Sequence, residues 1–414
     1  MKILLSTLPN EGQYISWLTN PTFRVEVNKY MPLGILSLAT NLPQEHDIKV
    51  IDPASEDWSI DKTISIIENE EPDILGISAV TRRVYALKEI LSRINVPYIT
   101  VGGPHATHYS EQILEYGADA VFVGPLADNE FRYNLNKKAR GIIYCKTGIN
   151  EIKFPNREFL EVNKYFPKAH KLFVADNRLP MFSSIGCPNK CLFCNVQTKK
   201  IQLKNSNIIL DEMEYLKSLN CNSVHMLDDN FNVSKKHLNS IIKEFKERDF
   251  NIEWSGRGQV KMDLSMLSKL KEVGFKRMHV GIEALDDNIL KYFNKNQTVN
   301  DIENFCREMT NLDLDIIGYF IFGSPVETKE YRKNVIKKIR DLNINKVLCH
   351  VLFPQPNTGY YFELLNKGTF KEDYWKKYME GPTPNYELPY PFGEEYKNEI
   401  WNFMEDLKKE FKYI

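Results

Sequence analysis

The chain has 414 residues, enough for two domains, and its 54 Lys and Arg residues balance 55 Asp and Glu residues to leave a net charge of −1. This balance gives no electrostatic case for binding nucleic acid or an anionic membrane. Hydrophobic residues make up 43% of the chain, as in globular proteins, and the longest apolar runs, such as 316–322, are too short to span a membrane.

The first 140 residues alternate short apolar strands with amphipathic helices, and a long polar loop follows the first strand. Strands are predicted at 2–6, 48–51, 74–78, 98–101 and 120–124, and helices at 34–42, 60–68, 84–94 and 110–116. This alternation predicts an α/β domain with a doubly wound parallel sheet of the Rossmann-like kind. Ligands of such sheets bind at the carboxyl ends of the strands, where Ser78, Gly102, Gly103 and Gly124 would lie together.

Residues 141–178 are predicted to be a less regular connector. A second alternation begins at Met181, with strands predicted at 182–185, 223–227, 251–255, 277–281, 315–322 and 346–352. Six strand–helix units favour a partial (β/α)6 barrel over residues 179–355. The remaining segment, 356–414, is aromatic and Pro-rich and then forms a charged helix over 394–411.

Seven cysteines, three of them in one loop, are unlike a secreted disulfide framework, and no cleavage-site pattern follows the apolar segment 1–8. We therefore expect a cytoplasmic protein without a signal peptide. The clustered residues are Cys187, Cys191 and Cys194. Thiolates bind zinc or iron–sulfur clusters, and three ligands leave one metal position open, whereas a structural zinc site has four. This favours a chemical role; the alternative is a partial zinc loop or incidental cysteines.

The Cys-x3-Cys-x2-Cys spacing, with the aromatic Phe193 before the last cysteine, resembles the radical S-adenosylmethionine (SAM) superfamily. Segments 227–231, 279–283, 320–328 and 353–359 each resemble the branch of that superfamily with an amino-terminal cobalamin-binding domain. The resemblance implies that the three cysteines hold a [4Fe–4S] cluster whose fourth iron binds SAM. It further implies cofactor contacts from Phe193, Asp228, Asp229, Arg257, Glu283 and Ser324. For Asp228 and Asp229, capping of the helix that follows Asn230 remains an alternative.

The turn Val101-Gly102-Gly103-Pro104 has paired glycines, which allow a bulky ligand to approach the backbone closely. The alternative is a structural turn before a helix. The resemblance implies that Gly102 and Gly103, the loop containing Ser78 and Thr81, and the Gly124 loop contact the nucleotide tail of cobalamin. Two features depart from the family pattern: 124–128 replaces a Gly-Glu-Gly-Glu run, and no Asp-x-His-x-x-Gly element is present. We interpret His105 as a surface or loop residue rather than a cobalt ligand.

Three functions remain open from the sequence. The resemblance implies a cobalamin-dependent radical SAM methyltransferase, in which a 5′-deoxyadenosyl radical activates an unactivated carbon of a small molecule or peptide and methylcobalamin supplies the methyl group. The second is a radical SAM cyclase, rearrangement or oxidative ring-forming enzyme, and the third is a cofactor-binding sensor. Either enzyme implies an external electron donor such as flavodoxin or ferredoxin, and we expect no nucleic-acid or membrane partner.

Overall fold

A computed structural model describes residues 1–12, 30–166, 177–344, 346–380 and 390–411. These residues form two compact units, the first comprising 1–12, 30–166 and 374–380, and the second the remainder. Each unit contains one six-stranded sheet in which all strand pairs are parallel. Among the helices within these ranges, none combines the length and the apolar character that a membrane span requires.

The first sheet has the strand order β2-β1-β3-β4-β5-β6, which reverses direction between β1 and β3 and confirms the predicted doubly wound fold. Its strands are β1 (Lys2–Ser6), β2 (Asp47–Ile51), β3 (Ile74–Ser78), β4 (Ile99–Gly102), β5 (Ala120–Val123) and β6 (Gly141–Tyr144). Its helices are α1 (Leu33–Asn41), α2 (Ile60–Glu70), α3 (Val84–Arg93), α4 (Pro104–His108), α5 (Ser110–Glu115) and α6 (Asp128–Asn134).

The apolar character of the central strands explains their position. Ile3, Leu4 and Leu5 of β1 are at most 1% exposed, as expected for a parallel strand covered on both faces. The edge strand β6 is not predicted from the sequence, because its residues are only partly buried and Tyr144 is 68% exposed. The predicted polar loop after β1 lies partly outside the described residues, at 13–29.

The second sheet has the order β14-β13-β12-β11-β10-β7 and is the predicted partial barrel, with β7 and β14 at its edges. Its strands are β7 (Arg178–Met181), β10 (Ser223–Met226), β11 (Glu253–Gly258), β12 (Phe275–Glu283), β13 (Asp315–Phe322) and β14 (Lys346–Val351). A separate antiparallel pair consists of β8 (Ser184–Ile185) and β9 (Gln202–Leu203). The helices between strands are α7 (Ser206–Ser218), α8 (Lys235–Glu247), α9 (Ser265–Glu272), α10 (Asp287–Tyr292), α11 (Val299–Asn311) and α12 (Lys329–Asp341).

The prediction of 182–185 as the first barrel strand is wrong. The barrel strand is β7, which pairs with β10, whereas Ser184 and Ile185 pair with β9. The chain leaves the barrel sheet at Ser183, whose backbone N–H donates to Asp228 Oδ1 (2.7 Å) instead of to a neighbouring strand. Both segments are short and apolar, so periodicity alone does not distinguish them.

Within the described ranges, three helices follow β14: α13 (Gly359–Asn366), α14 (Tyr374–Glu380) and the predicted terminal helix α15 (Glu394–Glu410). Helix α14 belongs to the first unit. Its Tyr378 hydroxyl donates to the Arg82 carbonyl (3.3 Å), and Lys88 Nζ donates to the Glu380 carbonyl (3.0 Å). The carboxy-terminal segment is therefore shared between the two units.

Candidate active site

The three clustered cysteines lie in the loop between β8 and β9. All three are free thiols and partly exposed. Burial raises the pKa of Cys191 to about 11; the Lys295 ammonium opposes this shift, and the Cys194 and Cys187 thiols add to it. Within the described ranges, no three His, Cys, Asp or Glu side chains are placed to hold a single metal ion. The donor set is three accessible thiols on one loop beside a cation, which fits an iron–sulfur cluster.

Contacts with the turn after α10 hold the cysteine loop in place. The Leu192 backbone N–H donates to the Phe293 carbonyl (2.9 Å), and Asn294 Nδ2 donates to the Lys190 carbonyl (2.8 Å). The Phe193 ring packs edge-on against Phe293, with 5.4 Å between centroids. The aromatic residue before the last cysteine therefore has a packing role in the loop.

The two aspartates after β10 position the segment that leads into the cysteine loop. Asp228 is fully buried and accepts hydrogen bonds from the Ser183 backbone N–H (2.7 Å), the Ser184 hydroxyl (2.8 Å) and the Ser183 hydroxyl. Asp229 accepts from the Gly186 backbone N–H (2.9 Å). The alternative that they cap a helix is wrong, because Ser234 caps α8.

Glu283 ends β12 in a strained conformation, with φ +66° and a register shift between Gly281 and Glu283. Its carboxylate forms a buried ion pair with Lys295 (2.7 Å). Burial acts to lower the pKa of Lys295, but the carboxylate and the Cys191 thiol raise it above its usual value. A Cβ at Gly281 would overlap both charged groups, so a larger residue there would force these two side chains to move.

Lys295 is a site residue that the sequence analysis missed. A buried carboxylate on an apolar strand signals that a partner exists. It does not say which of the nearby lysines is that partner, because Lys291 and Lys295 both follow Glu283 within one helix and turn. The fold selects Lys295, whose side chain is 11% exposed.

Replacing Lys295 with Met should lower the free energy of unfolding by about 3–5 kcal/mol, because the Glu283 carboxylate would remain buried without its cation. Urea unfolding of the purified chain measures this. Lys291→Met, at an exposed position on α10, is the matched control and should change it by no more than about 0.5 kcal/mol. Adding Glu283→Gln to Lys295→Met should restore much of the lost free energy of unfolding. Equal destabilisation by Lys295→Met and Lys291→Met would contradict the prediction.

Arg257 and Ser324 lie at the ends of β11 and β13. Among the described residues, no hydrogen bond or ion pair joins either side chain to the cysteine loop. Ser324 is fully buried and its hydroxyl has no partner there, and the Arg257 Nε likewise has none. Their predicted cofactor contacts therefore stay predictions, and both side chains have unused hydrogen-bonding capacity.

The predicted cobalamin-contacting residues come together at the carboxyl edge of the first sheet, on the neighbouring strands β3, β4 and β5. Gly103 has φ +99°, and a Cβ there would lie 2.9 Å from the Ala79 carbonyl oxygen and 3.1 Å from Ser78 Oγ. A Cβ at Gly102 would meet only Phe122, at 3.8 Å, so nothing else in the described chain requires glycine there. Gly102 and Gly103 together form a glycine surface, which fits the close approach of a bulky cofactor.

The loop after β3 is tied to the glycine turn through His105. The His105 Nδ1 lies 3.2 Å from Thr81 Oγ1, and the ring stacks on Tyr109 with 5.1 Å between centroids. His105 lies in α4 and is fully buried, so its interpretation as a surface or loop residue is wrong. Burial lowers the pKa of its imidazole to about 3. At Gly124, φ is +134°, and a Cβ would lie 3.1 Å from Cys145 Cβ, so packing already requires that glycine.

Two family models match the chain in agreement with these two sites. Residues 181–357 match the Radical SAM superfamily, and residues 24–129 match the B12 binding domain. A protein of Pyrococcus horikoshii named as an uncharacterized methyltransferase is 26% identical, covering 91% of this chain and 86% of its own length.

Two further proteins show the range of this similarity. The anaerobic magnesium-protoporphyrin IX monomethyl ester cyclase of Rubrivivax gelatinosus is 23% identical over 78% of this chain, which spans 63% of that relative. The radical SAM methyltransferase TsrM of Kitasatospora setae, solved with cobalamin and a [4Fe-4S] cluster bound, has the same fold. Its TM-score is 0.66 at 16% identity, with 88% of this chain and 75% of TsrM covered.

Proposed function

Because this chain belongs to the radical SAM superfamily and carries a B12-binding domain, we propose that it methylates an unactivated carbon of a small molecule or peptide. It is a radical SAM enzyme of the cobalamin-dependent methyltransferase group, and its cofactors are a [4Fe–4S] cluster, SAM and cobalamin. The observation that carries the proposal is the presence in one chain of a three-thiol loop and a glycine surface of the kind a bulky cofactor needs.

The bound cofactors supply electron transfer to SAM and a carrier for the methyl group. The chain supplies position: Cys187, Cys191 and Cys194 would hold the cluster on a loop fixed to the turn after α10. The Glu283–Lys295 pair sets a fixed pair of charges beside that loop. Gly102 and Gly103 would leave room for cobalamin at the edge of the first sheet. An external electron donor would supply the electron that SAM cleavage requires.

A second candidate is radical SAM cyclisation, with cobalamin absent or not used as a methyl donor. Two observations favour it: the 124–128 segment lacks the family's Gly-Glu-Gly-Glu run, and a cyclase is among the relatives at 23% identity. Both candidates require SAM cleavage, whereas the sensor that the sequence left open does not.

The test uses anaerobically purified, cluster-reconstituted protein that is incubated with hydroxocobalamin and then desalted. We expect about one cobalt and about four iron atoms to remain per chain. Product analysis by mass spectrometry then looks for a gain of one CH2 unit on the substrate. Iron retained without cobalt would overturn the methyl-transfer proposal and favour the cyclisation alternative, while leaving the radical SAM assignment intact.

A further inference from the structure

A network of polar side chains lies on the inner face of the second sheet. His225 Nδ1 lies 2.8 Å from Ser255 Oγ, and His279 Nδ1 lies 2.9 Å from the Tyr319 hydroxyl. The two imidazole rings are in contact, with 4.5 Å between centroids and an angle of 52° between their planes. The alternating positions on the other face are apolar and fully buried, among them Val224, Met226, Met278, Val280 and Ile282. The polar face is therefore the barrel interior.

Two groups in this interior lack a hydrogen-bond partner within the described part of the chain. His279 is 5% exposed, and its Nε2 has none. The Arg257 Nε also has none, and no described Asp or Glu forms an ion pair with this arginine. Unpartnered buried donors cost free energy, so a ligand or an ordered water should occupy the space between them.

The electrostatic potential in the barrel interior is positive. Burial, and then the charges of Arg178, Arg277 and Arg257, hold the pKa of His279 well below its usual range, and similar causes act on His225. Both imidazoles are therefore neutral near pH 7. Among the carboxylates of this face, Asp315 already binds Arg277 (3.0 Å), and Glu253 stands at the opposite end of β11 from the strand's carboxyl end. Among the described residues of this face, the Arg257 guanidinium has no carboxylate partner and can attract a negative charge.

The interior is open towards the carboxyl ends of the strands. The inner-face residues nearest those ends are partly exposed, namely Leu227, Arg257, Gly281, Tyr319 and Leu348. His350 is exposed, yet burial among protein atoms lowers its pKa while the Glu283 carboxylate acts to raise it. A side chain with both properties lines a solvent-accessible space that is largely surrounded by protein. This space, bordered by His350 and by the partly exposed inner-face residues as far as Arg257, is the barrel cavity.

We propose that this cavity binds the substrate by a carboxylate group, held at its inner end by the Arg257 guanidinium and the His279 imidazole. This assigns Arg257 to the substrate in place of the cofactor contact that the family resemblance implies. The identity of the ligand as the substrate rests on the proposed function. With the Tyr319 hydroxyl as donor to His279 Nδ1, the neutral imidazole would carry its proton on Nε2 and could donate it to the anion. A monocarboxylate matches Arg257, which has no carboxylate partner in the part of the chain that the structure describes, and the rest of the molecule extends towards Glu283.

Benzoate and benzamide, which have nearly the same shape and differ in charge, are the probes. Calorimetric titration of the reconstituted full chain should show benzoate binding at least about tenfold more tightly than benzamide. Arg257→Gln should weaken benzoate binding about tenfold and change the dissociation constant of SAM less than about twofold. Arg307→Gln, at an exposed position on α11, is the matched control and should change neither.

Two outcomes would overturn the inference. Loss of SAM binding in Arg257→Gln with benzoate binding unchanged would assign this arginine to SAM. Equal binding of the two probes would show that the cavity does not recognise a carboxylate. His279→Asn, which keeps one amide donor, repeats the test should Arg257→Gln fail to fold. If the chain bound no cobalamin but still preferred benzoate to benzamide, the proposed function would be contradicted and the carboxylate site would be retained.

Discussion

Cys191→Ala is expected to lose the iron–sulfur cluster and, with it, all SAM cleavage. Each thiol of the loop would hold one iron, so removing one leaves two protein ligands for a cluster that already has an open position. We expect iron after reconstitution to fall from about four atoms per chain to below about one. The effect is measured by iron analysis, by the sulfur-to-iron charge-transfer band in the visible spectrum, and by chromatographic detection of 5′-deoxyadenosine.

The control for this variant is Cys306→Ala, on the buried face of α11. Cys306 is 1% exposed and behaves as a small core residue, so its truncation should cost about 1 kcal/mol of stability and no iron. A Cys191→Ala protein that retained its iron and cleaved SAM would remove the cysteine loop from the active site. Equal iron loss in both variants would point to a general folding defect.

Gly103→Ala is expected to abolish retention of cobalamin while the cluster remains. The residue has φ +99° and ψ −175°, a region that essentially only glycine occupies. A Cβ would press on the Ala79 carbonyl oxygen at 2.9 Å and displace the loop that carries Ser78 and Thr81. We expect a loss of about 1–3 kcal/mol of stability and at least about tenfold weaker cobalamin binding.

Gly117→Ala separates backbone strain from displacement of the loop. Gly117 also has a positive φ, +106°, but nothing lies within 4 Å of its added Cβ. It should therefore lose stability to a similar extent without losing cobalamin. Cobalt per chain after desalting and urea unfolding of both variants provide the comparison. If Gly103→Ala retained as much cobalt as Gly117→Ala, the turn would have no part in binding the cofactor.

Both variants act on features that are visible in the printed sequence. The three cysteines lie within one short loop and the two glycines are adjacent, so the chemistry of each motif is encoded locally. The alternation of short apolar strands and amphipathic helices likewise predicts two parallel sheets, because helix and strand periodicities are local properties. Most predicted strands agree with the structure within a few residues, such as 74–78 with β3 and 315–322 with β13.

The features that the sequence did not disclose depend on contacts between distant segments. The choice of β7 as the barrel strand follows from pairing with β10, 45 residues along the chain in their register, as for Ser223 with Arg178. The burial of His105 depends on Thr81 and Tyr109 closing around it. Neither relation has a signature in local periodicity.

The chain's own pattern of residues was thus sufficient for the fold class, the cysteine loop and the glycine turn, since each follows from neighbours in sequence. Tertiary structure alone decided that Lys295 pairs with Glu283, and that His225, His279, Tyr319 and Arg257 share one barrel interior. The physical reason is that strand register and packing determine which side chains meet, and buried charges and imidazoles are stabilised only by the partners that the completed fold brings to them.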